Sequence, residues 1–588
     1  MVLPHLLAMA FLARLALGLS LSNILLSQNA DASPAWLLED YDVSKALSNA
    51  ERNGLGAVAS ESAICSNIGI DILKIGGNAA DALVATVLCV GVIGMYHSGI
   101  GGGGFMLVRT SDGKYEDIDF RETAPAAAHQ DMYQGNANGS VRSGLASGVP
   151  GELRGLEYLH ERHGVLPWNM VVMPAVRVAR EGWLVNEDLI RYMNAAMSEE
   201  NQFLVDDPAW AIDFAPGGKL IQVGDTITRK RYADTLETIA ERGPSAFYEG
   251  PMAEAMIRAL QAANGTMTME DLANYTVAIR EPVQTKYRDF IIRSNSAPSS
   301  GPVALSVMNI LEGFDGMGDP SAVHLSTHRL SEAFRFAYGQ RSGMGDPDFL
   351  DGMYEFQREI LNASTAANIR SKISDAHTLN VSAYDPSGFE ILDTPGTSAV
   401  VVADSSGMAI SLTTTINLLF GSQLIVPETG TILNNEQNDF SIPGKSNAFG
   451  FLPSPSNFIR PGKRPLSSIS NGIVEHADNG SLYYVVGAAG GSRIITATLQ
   501  NLWHVLDHGM TPIEALAAPR LHDQLIPNQC FFEYAYDNDT VAFMKTRAHN
   551  VTWFAPGSST AQSLRMLPNG TFEAAGEPRQ KNSGGFAI

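Results

Sequence analysis

The chain has 588 residues, 45% of them hydrophobic and 17% charged, the composition of a folded globular protein, which excludes a collagen-like, coiled-coil or wholly disordered chain. Lys and Arg number 40 against 62 Asp and Glu, a net charge of −22. Such a surface repels phosphate backbones, so it excludes nucleic acid as a partner and favours a small zwitterion or peptide as ligand.

The first segment is apolar from Leu6 to about Leu26 and is followed by Ala30-Asp31-Ala32, the small-residue pattern at which signal peptides are cut. It predicts a secretory signal over 1–32. An uncleaved signal anchor is the alternative, because about 20 apolar residues also suffice to span a bilayer. The expected location is the secretory pathway and the extracellular space, with a membrane-anchored or vacuolar protein as the other options.

Next, "SESAICSNIGIDILKIGGN" carries Ile64, Ile68, Ile72 and Ile75 at helical spacing and stops at Gly76-Gly77. A second helix runs to about Tyr96; from Ala79 to Met95 it is rich in Ala, Gly and Val and reads as buried in the protein. Cys65 and Cys89 lie on these two helices, so an oxidising compartment would allow a bridge between them and leave Cys530 over. Three buried thiols are the other reading, and no CxxC motif is present.

Gly99 to Gly104 satisfies GxGxxG, with Asp119 twenty residues beyond its first glycine. A dinucleotide loop needs a strand before it and a helix after it, whereas here the helix comes first. The run therefore reads as a glycine turn in tight packing. Asp112-Gly113 marks a hairpin, and Pro150 opens a helix ended by Gly164. His160 and His163 on that helix lack a third ligand at metal spacing and read as exposed.

A helical, acidic stretch continues to about Leu272, followed by strand-like alternation in "YTVAIREPVQTKYRDFIIRSN". Helices return in "SSGPVALSVMNILEGF" and "STHRLSEAFRFAYGQR". From Gly396 the chain turns strand-rich. Helices flanking antiparallel strand pairs predict an α+β fold of sheets stacked between helical layers. Sequons at Asn138, Asn264, Asn274, Asn362, Asn380, Asn479, Asn538, Asn550 and Asn569 suit a secreted glycoprotein.

Gly396-Thr397 directly precedes an apolar β-branched run. If the chain breaks before Thr397, the hydroxyl gains a free α-amine as its own base, and an α-amino pKa of about 7.7 to 8.0 leaves a useful neutral fraction at pH 7. Gly396, without a Cβ, tolerates the backbone strain of such a break.

The surrounding motifs give this pair its meaning. "AICSNIGIDILKIGGNAADALVA", "HSGIGGGGF", "IDFRETAP", "GVPGE", "SAPSSGPVALSVMNILEGF", "SLTTTINLLFGS", "LNNEQNDFS", "RPGKRPLSSIS", "GAAGGSRIITATLQ" and "APRLHDQ" make the chain resemble the γ-glutamyltransferases, also called γ-glutamyl transpeptidases or glutathione hydrolases, of the N-terminal-nucleophile hydrolase superfamily. The resemblance covers nearly everything after the leader. It implies a four-layer αββα sandwich and a proenzyme that cuts itself between Gly396 and Thr397. The products would be a large subunit, 33–396, and a small subunit, 397–588, which together form one domain as a heterodimer. The Cys65–Cys89 bridge is implied as well.

The resemblance also assigns roles. Thr397 is the nucleophile and carries the α-amine base, and Thr415 positions it. Gly490 and Gly491 supply the oxyanion donors. Arg121 binds the donor's α-carboxylate with help from Ser467 and Ser468, and Glu436 and Asp439, with Asn417 beside them, hold its α-ammonium. A planar guanidinium suits a carboxylate because its fork bonds both oxygens.

The implied substrate is glutathione or a γ-glutamyl conjugate, with water, an amino acid or a dipeptide as acceptor, and no cofactor or metal is called for. Family members usually carry His two residues after the nucleophile, where this chain has Ala399. That departure motivates one alternative, a processing-deficient homologue with a binding role; the other is an acylase of the same superfamily with a different acyl specificity.

Overall fold

Alternation along the strands dictates the layering. The computed structural model describes residues 54–385, 387–389, 396–445 and 453–588; the leader expected over 1–32 lies outside the described residues. The elements used below are β1 (Gly56–Ser60), α1 (Ala63–Lys74), α2 (Ala79–Ile93), β2 (Gly103–Arg109), β3 (Tyr115–Asp119) and α3 (Glu152–His163). A helical stretch follows, including α4 (Trp168–Glu181) and α5 (Lys230–Arg242), then β4 (Ala278–Arg280), β5 (Val283–Tyr287), β6 (Phe290–Ser294), α6 (Gly301–Glu312) and α7 (Val323–Arg341). Downstream come β7 (Gly396–Asp404), β8 (Ala409–Asn417), β9 (Gly472–His476), β10 (Leu482–Ala489), α8 (Arg493–Leu506), β11 (Cys530–Glu533), α9 (Asn538–Thr546), β12 (Thr560–Met566), β13 (Phe572–Ala575) and β14 (Gly584–Ala587).

The two largest sheets are antiparallel, seven strands in the order β14-β1-β7-β8-β2-β3-β4 and six in the order β13-β12-β10-β9-β6-β5. Successive side chains of a strand point to opposite faces. In β7, Val400 and Val402 turn one way and join Val58, Val108, Ile410 and Leu412 in a core shared with α1, α2 and α4. Val401 and Ala403 turn the other way and meet Ile473, Val485 and Leu564 of the second sheet. That sheet's outer residues, Ile292, Val474, Tyr484 and Val486, pack under α6, α7 and α8. The layers are therefore helix, sheet, sheet, helix, and Thr397, in step with Val401, lies on the face between the sheets.

Strand β7, which carries Thr397, and its neighbour β8 are buried along their whole length. The glycines of the GxGxxG match serve this packing: a Cβ at Gly101, Gly102, Gly103 or Gly104 would meet a backbone oxygen of Ile432, Thr415, Phe120 or Thr413 at 2.0 to 2.4 Å. Helix α2 precedes the run and β2 follows it, so no dinucleotide loop is formed.

Cys65 and Cys89 are bonded across α1 and α2, with Cα atoms 5.3 Å apart, and Cys530 is a buried free thiol. Two expectations need adjustment. Ile64 is 45% exposed, because α1 turns Cys65, Ile68, Ile72 and Leu73 inward. His160 and His163 are half-buried: His160 Nε2 lies 3.0 Å from the Leu166 carbonyl and 3.5 Å from Asp81 Oδ1, and His163 Nε2 lies 3.5 Å from Glu116 Oε2. They tie the end of α3 to its neighbours. All nine sequon asparagines are exposed, and among the described residues no helix is long and apolar enough to cross a membrane.

Candidate active site

The site grows from the β7–β8 pair. Thr397 stands opposite Thr415, Gly396 stands opposite Asn417, and the register shifts between Thr415 and Asn417. A bulge of this kind bends a strand and re-aims its side chains. Asn417 sits at φ 74°, a left-handed conformation that Asn tolerates better than most residues. The Thr415 hydroxyl donates to the Gly396 carbonyl at 2.5 Å and accepts from the Asn417 amide at 2.7 Å. The carbonyl of the bond before Thr397 is thus already polarised by a donor.

Asn417 carries the site from this strand to the acidic turn Glu436–Asp439. Its Nδ2 donates to the Asn435 carbonyl at 2.9 Å, and the Leu418 amide donates to Asn435 Oδ1 at 3.0 Å. Asn434 braces the same loop from behind: its Oδ1 accepts from the Glu436 and Gly148 amides at 3.0 and 2.9 Å, and its Nδ2 donates to Gly101 and Gly148 carbonyls. Here the glycine run has a second use, since side chains at 101–104 would push β8 and this loop away.

Arg121 lies two residues beyond β3, fully buried, and forms ion pairs through Nη1 to Glu436 and Nη2 to Asp439. Its Nε donates to the Pro465 carbonyl at 3.3 Å, its backbone amide to Asp119 Oδ1 at 3.0 Å, and Tyr275 OH donates to its carbonyl at 2.8 Å. The guanidinium is therefore fixed on three sides. Burial opposes its charge, and Glu436 and Asp439 more than restore it, raising its pKa.

Burial also pushes the neighbouring Glu122 carboxyl up to about 8 and the Glu436 carboxyl well above the usual carboxylate range, against the pull of Arg121 on both. Each carboxyl also feels the other and Asp439.

Ser467 and Ser468 follow Pro465, whose carbonyl holds Arg121. The Ser467 hydroxyl accepts from the Ile469 amide at 3.1 Å, and its backbone is held by Pro298 and Ser300. Ser468 Oγ accepts from Arg341 Nη2 at 3.1 Å, while Arg341 Nε donates to Ser300 Oγ at 3.1 Å.

Gly490 and Gly491 end β10 at φ 123° and 61°, conformations open to glycine. Their carbonyls accept from the Arg493 and Ile494 amides in the first turn of α8, so the pair lies at a helix N-terminus, where negative charge is favoured. Strand β10 packs across β7: a Cβ on Gly487 would come within 3.3 Å of the Ala399 Cβ, and Val485 joins Val401 and Ala403 further along. The two strands run in opposite senses, which carries Gly490 toward the Thr397 end.

All ten residues expected from the sequence are buried, and contacts link the Thr397–Thr415 pair through Asn417 and Asn435 to Glu436, Asp439 and Arg121. Four further residues were not singled out in the sequence: Glu122, Asn434, Asn435 and Arg341. Glu122 directly follows Arg121, and the doubled asparagine precedes Glu436, so proximity to the motif was the only signal. Arg341 lies on α7, far away in the chain, and nothing local marks it.

Comparison with known proteins bears on this arrangement. A family described as Gamma-glutamyltranspeptidase matches residues 65–587. The chain is 55% identical to a glutathione hydrolase proenzyme of Arthroderma benhamiae over 96% of its own length and 97% of that protein's. It is 51% identical to a glutathione hydrolase of Aspergillus flavus, covering 92% and 90% of the two. Among solved structures, a cephalosporin acylase from Bacillus halodurans superposes with a TM-score of 0.79 at 26% identity, covering 91% of this chain and 96% of that one.

Proposed function

Since the chain belongs to the gamma-glutamyltranspeptidase family, we propose that it is a glutathione hydrolase that works through Thr397, activated by its own scission between Gly396 and Thr397. The observation that carries this reading is the Thr415 hydroxyl on the Gly396 carbonyl. Attack by Thr397 Oγ1 on that carbonyl converts the amide to an ester, and water then releases Gly396 as a carboxylate and Thr397 with a free α-amine. Loss of the peptide bond frees Thr415 to orient the new nucleophile.

In turnover the α-amine takes the hydroxyl proton as Oγ1 attacks the γ-carbonyl, and the developing oxyanion faces the Gly490 and Gly491 amides. Losing one such donor typically costs about 3 kcal/mol of barrier. The departing amine takes the proton back, leaving a γ-glutamyl ester on Thr397. Water ends the cycle, or an amino acid or dipeptide accepts the group.

The donor's head group is an α-carboxylate beside an α-ammonium, and Arg121 with Glu436 and Asp439 presents the complementary charges. This set argues against the acylase reading suggested by the cephalosporin acylase likeness, because a simple acyl group carries no such pair of charges. Ala399 does not favour the processing-deficient alternative: the second sheet fills the space beside it at Gly487, so β7 is held by packing without an imidazole. The Cys65–Cys89 bridge and the exposed sequons support a secretory setting.

The test is N-terminal sequencing and intact mass of an active preparation. Two chains are expected, the second beginning Thr-Ser-Ala, and Thr397→Ala should remain one uncut, inactive chain. An active protein with no chain starting at Thr397, or one that hydrolyses simple acyl amides as fast as γ-glutamyl amides, overturns the assignment.

A further inference from the structure

Beneath the second sheet, α7 carries ligand-type side chains for which the Thr397 chemistry has no use. His328 and Glu332 are one turn apart on this helix and so share a face. His549 arrives from the turn after α9, where Ala548 at φ 66° reverses the chain and the His549 amide donates to the Met544 carbonyl at 3.2 Å. His328 Nδ1 and His549 Nε2 are 2.8 Å apart, and Glu332 Oε1 lies 3.8 Å from the same His549 nitrogen. All three residues are buried. Asp523 and Cys530 form a second group with His549, all three ligand atoms lying within 4.8 Å of one another.

The outer contacts orient these atoms inward. His328 Nε2 donates to the Ser374 carbonyl at 2.8 Å, which fixes the tautomer and points the Nδ1 lone pair into the cluster. Metal-binding histidines are commonly held by such a bond. Glu332 Oε2 accepts from Tyr384 OH at 2.5 Å, leaving Oε1 as a buried oxygen without a hydrogen-bond partner. Buried polar atoms are rarely left unsatisfied, and each exception asks for a cause.

We propose that His328, Glu332 and His549 form a binding site for a divalent ion of the zinc class. With metal–nitrogen and metal–oxygen bonds of about 2.0 to 2.2 Å, neighbouring ligands of a tetrahedral ion stand about 3.3 Å apart. The separations of 2.8 and 3.8 Å bracket that value, and all three ligand atoms lie within 4.8 Å of one another, so modest side-chain rotations seat the ion. Two imidazoles and a carboxylate suit zinc better than a hard cation such as magnesium. When the ion binds, His549 carries its proton on Nδ1, Glu332 binds as a carboxylate, and any proton it held leaves to solvent.

The ion would also pin the helix that supports the Thr397 site. Along α7, Tyr338 OH donates to the Ser492 carbonyl at 2.5 Å, next to Gly490-Gly491, and Arg341 holds Ser468. Binding to the folded chain alone should therefore raise its melting temperature.

The experiment uses the full chain expressed without a histidine tag. Metal content is measured after dialysis, followed by thermal melting with added zinc chloride and visible absorption after loading with cobalt. Near-stoichiometric zinc or zinc uptake, a melting temperature raised by several degrees and tetrahedral cobalt absorption are expected, all lost in Glu332→Gln and His549→Gln and kept in Cys530→Ser. No uptake by the parent protein overturns the proposal and leaves the two histidines as a hydrogen-bonded pair. Uptake that survives both substitutions, or that depends on Cys530 instead of Glu332, also overturns it. Should the variants fail to fold, X-ray absorption of the zinc-loaded parent decides: two imidazoles in the first shell support the site, and an all-oxygen shell overturns it.

Discussion

Thr415 is placed to act twice, on the Gly396 carbonyl before the chain breaks and on Thr397 afterwards. Replacing it by Val keeps the β-branched shape of a fully buried strand and removes only the hydroxyl. One buried hydrogen bond of this kind is worth about 1 to 3 kcal/mol, which corresponds to a roughly 5- to 150-fold slower maturation. The ratio of uncut to cut chain on a denaturing gel over time measures it, and a Thr415→Val precursor that matures at the parent rate removes the role. At this scale the sequence was informative where one motif held both partners, as in Glu436 and Asp439. It was silent where a contact joins distant segments: Arg341 meets Ser468 across 127 positions, and no local spacing records that.

Among the elements, the start of α3 contributes a buried acid to β8. Glu152 Oε2 accepts from Thr414 Oγ1 and, at 3.4 Å, from Ser98 Oγ. Burial pushes its carboxyl up to about 7, with the two hydroxyls pulling the other way. A carboxyl raised in the folded state contributes its stability below its unfolded pKa and loses it as pH rises through the folded value. The window therefore runs from about pH 4.5 to about pH 7, and the loss is at most roughly 3 kcal/mol. Glu152→Gln, neutral at every pH, should melt close to the parent near pH 4.5 and above it near pH 8. Thermal melts at both values check this, and equal melting temperatures at the higher pH exclude an ionised, strained Glu152. The helices and strands were legible from period and turn residues, but α1 shows the limit of reading period alone: Ile64 fits the helical spacing yet faces solvent, because the face is chosen by what packs against it.

For the whole molecule, segments before and after Gly396 share both sheets. In the first, β1 lies between β14 and β7, and β8 pairs with β2; in the second, β9 pairs with β6. Scission would leave two chains sharing these ladders and the hydrophobic cores that the layers enclose. Both chains are expected to elute together in molar salt and to separate only in denaturant; separation in salt alone contradicts the shared sheets. The layered class was legible from the order of helical and strand-like segments, while the strand order was not, because antiparallel pairing between remote segments leaves no mark in either sequence.

This interleaving makes maturation a one-way door. An intact chain finds its strand partners with every segment tethered to the next, whereas two separated pieces would have to meet by diffusion and thread into each other's sheets. Heat or urea should thus erase a cut enzyme permanently under conditions from which the uncut Thr397→Ala chain recovers, so its working lifetime is set by how slowly it first opens.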